Sequence, residues 1–247
     1  MSAIVVLTGG GIKGAVAAAR YAKEHELVLV HMNYGQASAV AEFKALAGLV
    51  GTFPKASAVA LAFPHVGQLQ RTADRSSPST GSQSVVVGGT VESAAPLSPV
   101  VLRGLGPVLM AVGVQAALRA GSSMLVAGFS RHCDAAHLGM PSVHNQPNDP
   151  REFFHLFNLM TEAFLQPRSK LRIEVPLMDL TYAEVILAAN RFQVPLDKTW
   201  TCDQPRRTPC GRCEPCKARE RAFTEAGLTD PTATAVPSPA FQAADKV

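Results

Sequence analysis

The sequence lacks the features that are typical of membrane, secreted and nucleic-acid-binding proteins. It has no apolar run long enough for a transmembrane helix, and the short apolar stretch at residues 1–8 has no basic leader, so we expect a first β-strand there and not a signal peptide. The net charge is only +4, which by itself does not indicate binding of nucleic acid. Because 47% of the 247 residues are hydrophobic, the chain can bury a sizeable core. We therefore expect a cytoplasmic, globular protein.

Short apolar runs alternate with helix-favouring segments along the chain. β-strands are predicted at residues 3–8, 27–33, 56–63, 124–129 and 171–177. Helices are predicted at residues 14–25, 37–50, 105–120, 151–166 and 182–192. Thr181 and Glu184 have the spacing of a capping box at the start of the last of these helices. The alternation predicts an α/β fold with a doubly wound parallel sheet, because helical crossovers between parallel strands cover both faces of the sheet.

Cysteine is scarce, but four of the five cysteines lie close together near the C-terminus. They are Cys202, Cys210, Cys213 and Cys216, in the spacing C-x7-C-x2-C-x2-C. The two C-x2-C links put three thiolates on one tight loop and the longer arm can bring in the fourth, as a closed tetrahedral zinc site requires. A disulfide framework is uncommon in a cytosolic chain, and an iron–sulfur cluster usually has a different ligand spacing. The spacing therefore predicts a structural zinc site.

A glycine-rich segment at residues 8–14, Thr-Gly-Gly-Gly-Ile-Lys-Gly, lies between the first predicted strand and the first predicted helix. Glycines at such a turn let backbone N–H groups approach an anion, and the helix N-terminus adds a partial positive charge. The segment is not a Walker A loop, and Asn33 stands where a dinucleotide-binding fold has an acidic residue after its second strand. Two interpretations follow, a phosphate-binding turn and a tight turn without a ligand.

Further motifs follow along the chain. They are Asn-Tyr-Gly-Gln at 33–36, Gly-Phe-Ser at 128–130, Pro-Leu at 176–177, Thr-Trp-Thr-Cys at 199–202, and Cys-Gly-Arg-Cys-Glu-Pro-Cys-Lys-Ala-Arg at 210–219. Together with the glycine turn, they resemble the 7-cyano-7-deazaguanine synthase family, within the adenine-nucleotide alpha-hydrolase-like ATP pyrophosphatases. The resemblance extends from Val5 to Pro231, and the motifs around the cysteines are its most specific part.

The resemblance implies a fold and a reaction. The fold is adenine-nucleotide alpha-hydrolase-like, with a small helical zinc-binding subdomain at the C-terminus. In the reaction, ATP activates the carboxylate of 7-carboxy-7-deazaguanine as an acyl-adenylate, ammonia displaces AMP to give an amide, and a second activation followed by elimination gives the nitrile. Magnesium accompanies ATP, zinc is structural, and a homodimer is the habit of the family.

The same resemblance assigns candidate site residues. The candidate nucleotide-binding residues are Thr8, Gly9, Gly10, Gly11, Tyr34, Gly35, Gln36 and Gly128. The candidate catalytic residues are Arg103, which is expected to meet an anionic intermediate, and Lys13, which stands where the family has a serine but whose own charge can reach a phosphate.

The phosphate loop departs from the family pattern Ser-Gly-Gly-x-Asp-Ser. Ile12 replaces the aspartate and Lys13 replaces the final serine. Two hypotheses therefore stay open: an ATP-dependent carbon–nitrogen ligase, and a noncatalytic relative that binds a nucleotide, a deazapurine or a protein partner. Binding of nucleic acid is less expected, because the arginines around the cysteines can offset the negative charge of a four-thiolate zinc centre.

Three parts are predicted along the chain: a nucleotide-binding-like α/β domain at 1–198, a zinc-binding subdomain at 199–228, and a disordered tail at 229–247. Residues 71–99 are rich in Ser, Thr, Gly and Pro and predict a mobile loop, either a substrate lid or a passive insertion. His31 is expected to be a satisfied core histidine, and Trp200 to pack the zinc-binding subdomain onto the sheet. One buried helix face is predicted from the spacing of Phe153, Phe154, Phe157 and Phe164.

Overall fold

The fold is built on a parallel β-sheet, as the alternation of strands and helices predicts. The computed structural model describes residues 3–63, 105–131, 150–165 and 170–232. Arg103, the predicted loop at 71–99 and residues 233–247 of the predicted tail lie outside the described residues. The strands are β1 (Ile4–Leu7), β2 (Leu27–Asn33), β3 (Ala56–Ala62), β4 (Met124–Ala127) and β5 (Arg172–Glu174). The helices are α1 (Ile12–Tyr21), α2 (Ala39–Val50), α3 (Leu105–Arg119), α4 (Pro150–Leu165), α5 (Tyr182–Arg191) and α6 (Glu214–Glu225), with a short 3-10 helix at Leu196–Lys198.

The five strands are hydrogen-bonded in the order β3-β2-β1-β4-β5, and all neighbouring pairs are parallel. Successive residues of β1 contribute to different cores, because side chains alternate between the two faces of a sheet. Val6 belongs to a core that contains residues of α1, α2, α5 and α6, whereas Val5 belongs to a core that contains residues of α3 and α4. The prediction of a doubly wound parallel sheet is therefore confirmed.

The strand order changes direction beside β1. The chain runs outward from β1 through β2 to β3, and later from β4 to β5 on the other side. Loops that leave the carboxyl ends of two such neighbouring strands diverge and leave a crevice between them, which is where ligands of open α/β sheets bind. Residues 8–11 follow β1 and residues 128–130 follow β4. The predicted phosphate loop therefore lies at the switch point of the sheet.

Several boundaries and side chains differ from the expectation. α1 begins at Ile12, two residues before its predicted start, because Gly11 is already the extended N-cap residue. β5 ends at Glu174, since residues 176–179 form a turn. The predicted buried face of α4 is correct for Phe154 and Phe157 but wrong for Phe164, which is 82% exposed near the end of the helix. The capping box of α5 is present with both of its hydrogen bonds.

Among the described helices, none has both the length and the apolar character needed to cross a bilayer.

Candidate active site and metal centre

The loop at residues 8–11 turns tightly between β1 and α1. Gly10 has a left-handed backbone (φ +74°), and its N–H donates to Thr8 Oγ1 at 3.2 Å. A Cβ atom at Gly10 would lie 2.5 Å from the carbonyl oxygen of Glu42 in α2, so neither the backbone angle nor the space suits another residue. The Gly10 carbonyl accepts a hydrogen bond from the Trp200 amide at 3.0 Å. Gly11, the N-cap of α1, makes no side-chain cap, which leaves backbone N–H groups of the first turn available to an anion.

A second turn, at residues 33–36, follows the carboxyl end of β2. The Asn33 side chain accepts from the Gly35 N–H at 3.0 Å, and the Gln36 side chain accepts from the Tyr34 N–H at 2.9 Å. Gln36 also donates from Nε2 to the Met32 carbonyl at 3.0 Å. The Tyr-Gly-Gln motif therefore fixes its own backbone and places Tyr34 at the carboxyl end of β2.

A cavity of about 380 Å³ lies at the switch point, between the loops that follow β1, β2 and β4. The predicted site residues that line it are Thr8, Gly9, Gly11, Lys13, Tyr34, Gln36 and Gly128. Gly10 and Gly35, both with positive φ, form the turns beside these residues. A Cβ atom at Gly128 would lie 2.8 Å from backbone atoms of Lys13 and Gly14, so glycine at this position lets the end of β4 approach the start of α1.

The Lys13 amine lies at the start of α1. Its Nζ is 5.0 Å from the centroid of the Tyr182 ring, a cation–π distance, and Tyr182 also lines the cavity. The lysine therefore adds positive charge where the first turn of α1 already has a positive potential.

Glu42 in α2 also lines the cavity, a role that was not predicted from the sequence. Its Oε2 accepts from Gln36 Nε2 at 2.9 Å and lies 3.1 Å from His31 Nε2, while its Oε1 accepts from Ser38 Oγ at 2.5 Å. His31 is buried as predicted, and its Nε2 meets this carboxylate, but its Nδ1 has no hydrogen-bond partner among the described residues, so the prediction of a satisfied histidine is only half correct. A glutamate in an amphipathic helix resembles a solvated residue in the sequence, so only the tertiary fold reveals its position.

Tyr34 lies in a region of negative charge. Burial raises the pKa of its hydroxyl well above the usual range, and the charges of Glu42 and Asp203 raise it further. Asp203 comes from the segment just after Cys202 and also lines the cavity. Tyr34 therefore stays a neutral hydroxyl that can donate a hydrogen bond to a ligand.

The four cysteines of the C-terminal motif meet in space. Their Sγ atoms all lie within 4.8 Å of one another, and Cys202 and Cys216 are buried. Cys202 Sγ accepts N–H bonds from Gln204 at 3.4 Å and Cys210 at 3.3 Å, and Cys210 Sγ accepts one from Cys213 at 3.3 Å. Backbone donors of this kind stabilise thiolates. The cluster can therefore bind a metal ion.

The thiols differ in their acidity. Burial raises the pKa of Cys202 and, more strongly, that of Cys216. Burial also opposes ionisation of Cys210, but N–H donors of Arg212 and Cys213 outweigh it and lower its pKa to about 6. A metal ion must therefore compete with protons at the two buried thiols.

A buried arginine connects the cysteine region, residues 199–228, to the segments on either side of it. Arg219, 4% exposed in α6, bonds Asp230 through Nε at 2.7 Å and through its Nη2 amine at 2.9 Å. Its Nη1 amine donates to Thr199 Oγ1 at 2.8 Å, and Nη2 also donates to the Leu196 carbonyl at 3.1 Å. The predicted tail begins at residue 229; this salt bridge holds Asp230, and the rest of the tail from residue 233 lies outside the described residues and stays a prediction.

Trp200 makes two hydrogen bonds at the boundary between the cysteine region and the loop after β1, and the packing of its ring onto the sheet stays a prediction. Its backbone amide binds the Gly10 carbonyl of the loop after β1, and its indole Nε1 donates to the Cys202 carbonyl at 2.6 Å. The cysteine region thus contributes one wall of the cavity, including Trp200, Asp203 and Pro215. Of these, Asp203 had no sequence signal, because it lies in an irregular segment without a recognisable motif.

Comparison with known proteins gives a consistent result. A family described as "Queuosine biosynthesis protein QueC" matches residues 2–227. A 7-cyano-7-deazaguanine synthase of Chlorobium phaeobacteroides is 28% identical, over 94% of this chain and 96% of its own length. Proteins of the same name from Parasynechococcus marenigrum and Methanothermobacter thermautotrophicus are 29% and 28% identical, over 92% and 94% of this chain and 94% and 98% of theirs.

Proposed function

The chain belongs to the queuosine biosynthesis protein QueC family, and from this premise we propose that it is an ATP-dependent 7-cyano-7-deazaguanine synthase. One structural observation supports the proposal. The glycine loop, the Tyr-Gly-Gln turn and Gly128 line one cavity at the switch point of the sheet. That is the position at which this type of sheet binds nucleotides.

The proposed reaction converts a carboxylate to a nitrile in two activations. The carboxylate oxygen of 7-carboxy-7-deazaguanine attacks the α-phosphorus of ATP, and pyrophosphate leaves. Ammonia then attacks the acyl carbon and loses a proton, and AMP departs with the carboxylate oxygen, which leaves an amide. The amide oxygen attacks a second ATP, again with loss of pyrophosphate, and removal of both N–H protons while AMP departs gives the nitrile. A side-chain nucleophile is not required, so the protein contributes mainly orientation and electrostatic stabilisation.

Each part of the cavity has a proposed task. Backbone N–H groups of Gly9 and Gly11, together with the first turn of α1, hold the departing pyrophosphate, while Gly10 provides the left-handed turn that places them. Lys13 adds a positive charge to that group. Thr8 fixes the loop through its bond to the Gly10 amide, and Tyr34, Gly35, Gln36 and Gly128 shape the nucleotide pocket. Arg103 is proposed from the sequence alone to bind an anionic intermediate.

Magnesium is proposed as the ion that accompanies ATP. When bound, it would neutralise charge on the phosphates. The donors in the cavity suit it, because Mg²⁺ prefers carboxylate oxygens and both Glu42 and Asp203 line the cavity.

Zinc is proposed as the ion of the cysteine cluster. Zn–S bonds of about 2.3 Å in a tetrahedron put sulfur atoms about 3.8 Å apart. Cys202 Sγ and Cys213 Sγ are 3.9 Å apart, which matches that spacing, and all four sulfurs lie within 4.8 Å of one another, so they are close enough to share one ion. All four positions are occupied by cysteine, which is typical of a structural and not a catalytic zinc site.

The deciding experiment combines binding with turnover. Calorimetric titration with ATP, AMP and 7-carboxy-7-deazaguanine should show binding of ATP and of the deazapurine. Incubation with ATP, Mg²⁺, the deazapurine and ammonium should release AMP and pyrophosphate and form a product lighter than the amide by one water, as measured by mass spectrometry. Binding of ATP without any AMP formation would support the alternative of a noncatalytic relative, and absence of nucleotide binding would refute the proposal.

A further inference from the structure

The Glu42 carboxylate is held in place by several hydrogen bonds, unlike the carboxylate of a solvent-exposed helix residue. Three side chains meet its two oxygens: His31 and Gln36 at Oε2, and Ser38 at Oε1. His31 Nε2, at 3.1 Å from Oε2, is the donor to this carboxylate in the tautomer that carries its proton on Nε2. The His31 side chain is 2% exposed in β2, which fixes this donor within the sheet. Within the described ranges, Glu42 forms no ion pair with a lysine or an arginine.

The carboxylate lies beside the loop that is proposed to bind phosphates. A Cβ atom built on Gly9 would lie 3.5 Å from Glu42 Oε2, and the backbone of Glu42 abuts Gly10. A negative charge at this place repels a phosphate unless a cation lies between them. The oriented carboxylate should therefore weaken binding of a nucleotide without a metal ion and strengthen binding of a nucleotide with its metal ion.

The loop and the first residues of α1, at 8–14, contain no aspartate or glutamate. The side chain of Ile12 stands at the position of the family's aspartate, and it is 1% exposed within the core formed by α1 and its neighbours. This side chain contributes packing and has no oxygen that could bind a cation.

We propose that Glu42 holds the divalent cation that accompanies the nucleotide, so that α2 supplies the carboxylate that the loop lacks. This inference rests on the proposed nucleotide-binding function. Asp203, on another wall of the same cavity, is a second oxygen donor that the same ion can use.

The proposal predicts opposite effects of one substitution. In Glu42→Gln the side chain keeps its size and can still accept a hydrogen bond, but its charge is removed. With metal present, the nucleotide should bind about tenfold more weakly or worse, because one oxygen ligand is lost. Without metal, the nucleotide should bind as well as before or up to about threefold more tightly, because a repulsive charge is gone. A purely structural role would weaken both forms of binding together.

The experiment measures nucleotide binding with and without metal, using the analogue α,β-methylene-ATP. Its affinity is determined by calorimetry in metal-depleted buffer without chelator, which preserves the cysteine-bound metal, and again with Mg²⁺. Mn²⁺ retained by the protein–analogue complex is measured by electron paramagnetic resonance. Glu24→Gln, at an exposed position after α1, is the matched control and should change neither affinity. Equal weakening of both forms in Glu42→Gln, or unchanged Mn²⁺ retention, would overturn the inference.

The unmodified protein gives an independent test. Fe²⁺ bound in place of Mg²⁺ with the analogue should, after addition of ascorbate and peroxide, cleave the backbone near residues 9–10 and 42, as mapped by mass spectrometry. Cleavage elsewhere would contradict the role of Glu42 even if Glu42→Gln does not fold. If the analogue does not bind under either condition, the proposed function itself fails. If it binds equally with and without metal, only the role of Glu42 fails.

Discussion

The cysteine cluster and the phosphate loop differ in how closely their side chains follow the family pattern. At the cluster, the ligand atoms are side-chain sulfurs, and all four cysteines are present with their sulfurs within 4.8 Å of one another. At the loop, the proposed ligand atoms are backbone N–H groups, and the side chains at positions 12 and 13 differ from the family pattern while the left-handed turn at Gly10 remains. A site built from side chains is altered by any ligand substitution, whereas a site built from backbone tolerates changes that preserve its shape.

Loss of one thiolate should have the largest effect. If the proposed zinc is bound, we expect Cys216→Ser to reduce it from about one ion per chain to a small fraction and to unfold the region around α6, because binding of a structural zinc contributes directly to folding. Metal analysis and thermal unfolding measure both effects. Cys133→Ser, at the cysteine outside the motif, is the control and should retain the metal. Full metal content in Cys216→Ser would contradict the four-cysteine site.

Removal of the buried Arg219–Asp230 salt bridge tests how much this contact stabilises the cysteine region. We expect Asp230→Asn to lower the free energy of unfolding by about 3 kcal/mol, because it leaves the buried Arg219 charge without its partner. Urea denaturation measures this change. Glu214→Gln breaks the exposed ion pair with Arg221 in the same helix and should have no measurable effect.

The same pair predicts a pH dependence. Burial alone would raise the pKa of Asp230, but the hydrogen bonds and charge of Arg219 lower it below its usual range. A lowered folded-state pKa means that the stabilisation is present above the unfolded pKa of about 4 and is lost as the pH falls through the folded value. The difference in unfolding free energy between the wild type and Asp230→Asn should therefore be constant near neutral pH and shrink in acid. A difference that grows in acid would contradict the lowered pKa.

The backbone of the loop can be tested with paired glycine substitutions. We expect Gly10→Ala to cost about 2 kcal/mol of stability and to weaken ATP binding, because its φ is +74° and a Cβ would meet the Glu42 carbonyl. Gly48→Ala in α2, where a Cβ meets nothing within 4 Å, should stabilise the protein by about 0.5–1 kcal/mol. Thermal unfolding and calorimetry with ATP measure both variants. A harmless Gly10→Ala would show that the loop does not need its present conformation.

Replacement of the Lys13 side chain should have the smallest effect on the protein. We expect Lys13→Met to weaken ATP binding by about tenfold and AMP binding by less, because the pyrophosphate part of ATP is the proposed partner of the amine. Calorimetry with both nucleotides checks this prediction. An equal loss for ATP and AMP would place the lysine elsewhere on the nucleotide.

The sequence predicted the parts of this molecule that depend on local pattern. The order of strands and helices, the capping box at Thr181 and the meeting of the cysteines follow from periodicity and spacing. Contacts between distant segments were less accessible. The pairing of His31 with Glu42 and of Arg219 with Asp230 depends on how α2 and α6 pack, and neither short-range pattern nor composition encodes that packing. Phe164 followed the helical period correctly but lies near the end of α4, where its side chain is exposed.

The chain has one tryptophan, and its position gives the protein a built-in optical probe. The Trp200 amide binds the Gly10 carbonyl of the loop, and its indole binds the carbonyl of Cys202. Its fluorescence should therefore respond both to nucleotide in the cavity and to loss of the zinc that is proposed for the cysteines, without any label. A titration that follows this single emission can report on the two regions in one sample.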